Sequence, residues 1–276
     1  MKIDAHQHFW KYDATEYPWI GAGTVLERSW MPEDLRPILE GAGMDGCVAV
    51  QARQSMEESR WLLDLAEEHS WIRGVVGWVD LRSERVDEEL GELMGRRGLV
   101  GVRHVVQDEV DEDFLGGGAF CRGVGKLAGY GLAYDLLIYA RQLESAVRMV
   151  ERFPEQRFVI DHLAKPEIRL GKLEGWREWM KEMGKFPQVM CKVSGMVTEA
   201  AVGDWKAEDL RPYMEVVLEV FGVDRLMFGS DWPVCLLAAD YGRVLGVVEG
   251  ALEGFSAEDR AKIFGGNALR FYGLEG

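Results

Sequence analysis

Lys2-Ile3-Asp4-Ala5-His6-Gln7-His8 is the stretch on which the fold turns. A short apolar start ends in two of the chain's five histidines, one residue apart. In a strand, alternate side chains share a face, so His6 and His8 point the same way. Two imidazoles converging on one point suit a divalent metal or a polarised carbonyl. The competing reading is a polar strand end with two solvated histidines. Position adds to spacing here. An open doubly wound sheet carries a glycine-rich phosphate turn after its first strand. In this chain His6-Gln7-His8 occupies that place, which favours a closed barrel.

Working outward, the chain supplies the strands such a barrel needs. Eight mostly apolar runs read as strands: residues 3–6, 47–51, 74–79, 100–104, 132–138, 158–162, 190–193 and 225–228. Their near-continuous hydrophobicity suits parallel strands buried on both faces. Helical patterns lie between them, over 32–40, 55–69, 85–97, 121–128, 142–153, 176–186 and 210–221, with a last helix over 256–271. Pro32 sits at an early helical position, and Ser55 and Ser256 are N-cap residues. Strand–helix alternation over residues 1–276, with no linker, repeat or low-complexity segment, predicts a single (β/α)8 TIM barrel domain. The connection over residues 9–31 is long and carries Trp10, Tyr12, Tyr17, Trp19 and Trp30. Its aromatic content predicts an ordered, functional loop.

Composition bounds the function. The 276 residues are 47% hydrophobic, enough for a large core, yet no stretch is long and apolar enough to span a bilayer. No basic segment leads into an apolar one at the start, so a secretory signal is not expected. Cys47, Cys121, Cys191 and Cys235 form no C-x-x-C pair and read as reduced thiols, pointing to the cytoplasm. A formal net charge of −15 repels nucleic acid and anionic membrane surfaces. It also disfavours polyanionic substrates, unless a local cationic pocket overrides the global field. A homo-oligomer is left open.

In a barrel of this kind chemistry gathers where strands end. Strand one ends in His6 and His8, strand two in Gln51 with Arg53 beyond, strand three in Trp78 and Asp80, and strand four in Arg103 and His104. Strand five carries Asp135 and Tyr139. Strand six ends in Asp161 and His162, with Lys165 following. Strand seven carries Lys192 and Ser194, and strand eight ends in Gly229-Ser230-Asp231-Trp232-Pro233. Each residue alone has a structural explanation as cap, surface charge or turn former. Their gathering at one end of nearly every strand argues for catalysis. Asp231 is placed to take a proton from water or to hold a metal. His6, His8 and His162 supply imidazoles for a metal or a carbonyl. Arg103, His104 and Lys192 are candidates to hold an electron-rich oxygen. No Gly-x-Ser-x-Gly elbow and no cysteine beside a strand-end histidine occurs, so an activated water remains as nucleophile. Trp10, Trp30, Trp78 and Trp232 fall near the expected mouth. As flat walls they suit a small polyhydroxylated ring, and as core residues they suit packing equally well.

Taken together, Asp4-Ala5-His6-Gln7-His8-Phe9-Trp10, Gly101-Val102-Arg103-His104, Asp161-His162-Leu163-Ala164-Lys165-Pro166, Lys192-Val193-Ser194-Gly195 and Phe228-Gly229-Ser230-Asp231-Trp232-Pro233 resemble the amidohydrolase superfamily. More narrowly they resemble its L-fuconolactonase-like branch of sugar-lactone hydrolases. The resemblance implies a distorted barrel, with His6, His8, His162 and Asp231 as catalytic residues and Asp231 activating water. It implies substrate contacts from Arg103, His104, Lys192, Gln51, Lys165, Trp30, Trp78 and Trp232. Metal-rich members of the superfamily use a lysine or glutamate late in strand four and a histidine on strand five. Here those places hold Arg103-His104 and no histidine. The expectation is therefore one divalent ion, zinc first, on His6, His8, His162 and Asp231, or none. The implied reaction opens an aldonolactone such as L-fucono- or L-rhamnono-lactone to the sugar acid. Two other readings stand beside it: decarboxylation or hydration of a small carboxylic acid on the same fold, and a silent sugar-acid binding protein.

Overall fold

The computed structural model describes residues 1–275. The eight strands form in the expected order: β1 (Ile3–Gln7), β2 (Gly46–Val50), β3 (Ile72–Gly77), β4 (Leu99–Val105), β5 (Ala133–Leu137), β6 (Phe158–Ile160), β7 (Val189–Val193) and β8 (Leu226–Phe228). All neighbouring pairs are parallel, and the sheet runs β1 to β8 in sequence order. The seam between β8 and β1 closes just beyond the end of β8. There His8 N donates to Trp232 O (2.7 Å) and Asp231 N donates to His6 O (2.8 Å). The buried Asp4 carboxylate bolts the same seam, accepting from Ser230 N (2.9 Å), His6 N (3.1 Å) and the Tyr241 hydroxyl (3.1 Å). The fold is thus a (β/α)8 barrel whose closure uses residues from the strand ends where polar side chains gather.

Strand side chains divide between two cores, as a period of two requires. Val48, Val50, Val76, Ala133, Val159 and Met227 form one cluster with Phe271 and Leu274 from the C-terminal segment. This is the barrel interior with its lower plug. Cys47 and Ala49 face the other way, into the cluster that holds the surrounding helices. Ile3 and Ala5 belong to the interior. Strict alternation from them would send His6 and His8 outward. A bulge prevents this: Asp4 pairs with Cys47 and Gln7 with Ala49, so three steps on β1 match two on β2. An extra residue of this kind re-aims the side chains after it. His6 and His8 share a face as expected, but the bulge decides which face.

The helices are α1 (Pro32–Gly41), α2 (Met56–Glu68), α3 (Val86–Met94), α4 (Gly118–Leu127), α5 (Leu143–Arg152), α6 (Trp176–Gly184), α7 (Met196–Glu199), α8 (Ala207–Phe221), α9 (Tyr241–Ala251), α10 (Ala257–Ala261) and α11 (Asn267–Tyr272). Three places depart from expectation, the first being the single turn α7, where no helix was expected. The sequence places no helix over Tyr241–Ala251, yet α9 forms there, its start capped by Asp240 accepting from Arg243 N. Three glycines in that segment mask its helical pattern. The continuous helix expected over 256–271 is broken by a wide turn at Lys262–Gly266. At Gly265 a Cβ would lie 2.2 Å from Met1 O, so the turn crosses the start of β1 at a distance only glycine permits.

The loop over residues 9–31 is ordered. Trp10 and Trp30 pair through two backbone hydrogen bonds of 3.0 Å, and Trp10 Nε1 donates to Arg28 O (2.8 Å). Tyr17 reaches across to α2, its hydroxyl donating to Glu58 Oε1 (2.9 Å). Glu58 Oε2 accepts from Ala52 N and Arg53 N, both at 2.9 Å. Burial pushes the Glu58 carboxyl up to about 7, despite these donors. Its ordinary value is 4.5, so between these limits the folded chain keeps a proton that the unfolded chain releases. That contribution is complete below pH 4.5 and is lost as pH rises through 7. Glu58→Gln should therefore gain stability relative to the parent as pH is raised from about 5 to about 7.5. Urea midpoints at several pH values measure this, and a constant difference would contradict it.

Candidate active site

Four side chains meet at the closed seam. His6 Nε2 and His8 Nε2 lie 3.2 Å apart. Asp231 Oδ1 is 3.4 Å from His8 Nε2, 3.9 Å from His6 Nε2 and 3.8 Å from His162 Nε2. The backbone that delivers two of them is left-handed. Residues His162, Leu163, Ala164 and Lys165 all have φ between 47° and 57°, and Asp231 has φ 58°. Non-glycine residues adopt this region at a cost of about 1–2 kcal/mol each. Such strain concentrates at functional sites. The turn after β6 is held by the Trp176 indole donating to Leu163 O (2.7 Å) and by His162 Nδ1, 2.8 Å from Ser194 Oγ. Gly195 gives the ring its room, since a Cβ there would lie 2.5 Å from His162 Nδ1.

Hydrogen bonding fixes what His8 offers. Its Nδ1 is 2.8 Å from Val50 O, a group that only accepts, so Nδ1 carries the proton. Nε2 therefore presents a lone pair toward Asp231. Burial lowers the pKa of His8, and it lowers His162 to about 4. Burial alone would raise Asp231, but the positive charge that His162, His8 and His6 take up in acid outweighs it, so the carboxylate stays ionised well below its usual range. Two electron-pair donors, His8 Nε2 and Asp231 Oδ1, thus face each other across 3.4 Å. Such a gap takes a cation or a water proton. Ligand atoms 2.0–2.1 Å from a tetrahedral centre stand about 3.3 Å apart. The His6, His8 and Asp231 atoms, at 3.2 to 3.9 Å, fit a divalent ion on this test.

Beneath this group the barrel interior is charged. Lys192 Nζ donates to Asp135 Oδ2 (2.5 Å), and lies 3.0 Å from Asp161 Oδ1 and 3.2 Å from His6 Nδ1. Arg103 Nη1 donates to Asp161 Oδ2 (3.1 Å) and lies 3.2 Å from His6 Nε2. The Tyr272 hydroxyl, rising from α11, is 2.8 Å from Asp135 Oδ2. Burial raises Asp135 to about 6, whereas Lys192, His6 and Arg103 override burial and hold Asp161 ionised. His6 is thereby pinned on both ring nitrogens.

Over residues 3–274 the chain matches the amidohydrolase family. The L-fucono-1,5-lactonase of Burkholderia multivorans is 42% identical, the alignment covering 99% of this chain and 96% of that protein. The chain belongs to the amidohydrolase family. The L-fucono-1,5-lactonase of Burkholderia ambifaria is 37% identical, covering 100% of this chain and 96% of that one. A crystal structure of an amidohydrolase from Burkholderia multivorans with bound zinc superposes with a TM-score of 0.95 at 42% identity, covering all of both chains.

The amidohydrolase cavity has a volume of about 450 Å³ and opens onto His8, Arg103, His162, Lys165 and Asp231. His6 lies directly behind, fully buried. Several residues expected to touch substrate do not line it. Lys192 is fully buried and shared between two carboxylates, a position set by its inward register on β7. Gln51 is buried and holds Arg103, its carbonyl and side-chain oxygens accepting from Nη2. His104 is buried with its Nε2 on Glu109. Trp78 donates to His104 Nδ1 (3.3 Å). Trp30 and Trp232 pack edge-to-face, ring centroids 5.1 Å apart, behind the seam. Trp10 is wholly buried. The tryptophan in the wall is instead Trp19, from the long loop, with Arg53, Gln54, Gln107 and Glu109 beside it. Aromatic content marked that loop, but nothing in the spacing singled out Trp19. The Asp161 and Asp135 carboxylates were visible as strand-end polar residues, without a signal that both bind Lys192.

Lys192→Met keeps the volume and removes the shared cation, leaving Asp135 and Asp161 short of a partner. Breaking a buried pair in this way costs about 3–5 kcal/mol. Denaturant unfolding should show a loss of that size, and a loss below about 1 kcal/mol would contradict the role of Lys192 as the shared cation.

Proposed function

We propose that this chain hydrolyses a sugar lactone, L-fucono-1,5-lactone or a close relative such as L-rhamnono-lactone, to the open aldonic acid. The carrying observation is the Asp231 carboxylate, 3.4 to 3.9 Å from the Nε2 atoms of His8, His162 and His6, at the wall of a monosaccharide-sized cavity. The two lactonases of 42% and 37% identity support the substrate class.

Asp231 takes a proton from water as its oxygen attacks the lactone carbonyl. The ring C–O bond then breaks, and the leaving oxygen takes that proton back from Asp231, so one water is consumed and the carboxylic acid ionises on release. His8 presents a lone pair and repels a carbonyl oxygen, so it holds the water or a metal and does not polarise the substrate. Negative charge developing on the carbonyl oxygen is met by cations in the wall, Arg103 and Lys165. His6, His8 and Asp231, with His162 adjacent, would hold a zinc ion, which when bound lowers the pKa of water and polarises a carbonyl. The zinc-bound Burkholderia multivorans structure supports that assignment.

We read residues 1–276 as one catalytic domain acting on a small neutral sugar derivative. Among the described residues no helix is long and apolar enough to cross a membrane, and all four cysteines are free and buried. A reducing cytoplasm suits those thiols.

Aldonolactones supplied to the purified chain should release acid, followed with a pH indicator. Hydrolysis of none of them would end the proposal, and carbon dioxide release from aromatic acids would favour the decarboxylase reading. Asp231→Asn should lower kcat about 10³-fold at unchanged melting temperature. Near-parental turnover removes Asp231 from its role. Calorimetric titration of the metal-stripped chain with zinc should give one site, abolished in His8→Ala; an intact site in that variant would exclude His8 as a ligand.

A further inference from the structure

Glu109 sits in the cavity wall on the loop after β4. Its Oε1 is 2.7 Å from His104 Nε2. His104 is enclosed, its ring stacked on Phe114 (centroids 4.9 Å, 15°) and meeting Phe120 edge-on at 5.4 Å. On its other side Trp78 Nε1 lies 3.3 Å from Nδ1. An indole N–H only donates, so Nδ1 is the acceptor and the ring proton sits on Nε2. His104 is therefore a neutral imidazole that donates to Glu109. Burial lowers its pKa, in keeping with a neutral ring.

The chain Trp78 to His104 to Glu109 runs from buried groups to the cavity and fixes one carboxylate oxygen. The other, Oε2, has no hydrogen-bond or ion-pair partner among the described residues. Glu109 is 28% exposed, so this oxygen retains acceptor capacity in a half-enclosed place. The wall offers cations at Arg103, Lys165 and Arg53, the last paired with Glu16. Those serve a carbonyl or a carboxylate. A lactone ring also brings hydroxyl donors, and a carboxylate is their strongest acceptor. A side chain preorganised by a buried, tautomer-locked partner is the arrangement a recognition contact requires.

We propose that Glu109 determines specificity by accepting hydrogen bonds from substrate hydroxyl groups through its free oxygen, with His104 and Trp78 as positioning residues. This rests on the lactonase reading above. The competing role is a purely structural pin for the β4 loop.

The test compares kcat/KM for L-fucono-1,5-lactone with that for δ-hexanolactone, the same methyl-substituted ring without hydroxyls. In Glu109→Gln the ratio of the two should fall about 10- to 100-fold. His104→Phe should lower the same ratio, and the double variant should be no worse than Glu109→Gln alone, because the two act as one unit. A ratio unchanged in Glu109→Gln overturns the proposal. Equal losses on both lactones, with a lower melting temperature, assign Glu109 to the structural pin and overturn it too. If His104→Phe fails to fold, Glu109→Gln alone decides. A parent chain that opens neither lactone defeats the lactonase reading itself, and this inference with it.

Discussion

An ammonium group with no access to solvent lies at the centre of this barrel, between two carboxylates. Lys192 neutralises Asp135 and Asp161, and Asp161 in turn holds Arg103 and lies 3.3 Å from His6 Nδ1. Taking these charges out of water is costly, and only mutual pairing makes it tolerable. The consequence is geometric. His6 cannot rotate without breaking contacts to Lys192 or Arg103, so the ring that begins the site is set from below. The lower barrel is ordinary aliphatic packing, and the charged level above it turns a packed core into a platform.

The seam adds a second constraint. Closure of β8 onto β1 uses the backbones of His6, His8, Asp231 and Trp232. The side chains of the candidate site and the barrel closure therefore come from the same few residues. The left-handed φ values at His162 and Asp231 are held by that closure and by the packing of Trp176 and Ser194. A site on such a frame is stiff, which suits the 3.4 Å approach of a carboxylate to an imidazole lone pair without a proton between them. It also separates roles that look alike in sequence: His8 offers electrons, His104 offers a proton to Glu109, and His6 is locked between cation and anion.

Much of the fold was legible because parallel strands are buried on both faces and read as apolar runs. The gathering of His6, His8, His162 and Asp231 at one end of the barrel was legible because polar residues at the ends of such runs have few structural reasons to be there. What stayed hidden depends on contacts distant in sequence. The β1 bulge is a register relation with β2. The inward aim of Lys192 is explained by carboxylates on β5 and at the end of β6. The break near Gly265 answers to Met1, at the far end of the chain. Helix α9 was missed for a local reason, its three glycines. Of the two roles open to the mouth tryptophans, Trp30 and Trp232 take packing, edge-to-face on each other, while Trp19 reaches the cavity from an irregular loop that has no periodicity to read.

The central claim is electrostatic: an ionised Asp231 faces imidazoles that stay neutral, with the His8 proton on Nδ1. Nitrogen-15 NMR of histidine-labelled, metal-free chain reports this directly. At pH 7 His8 should appear as the neutral Nδ1-protonated form, and His162 should remain neutral until pH approaches about 4. Either ring found as imidazolium at pH 7, or His8 found protonated on Nε2 alone, would contradict the account.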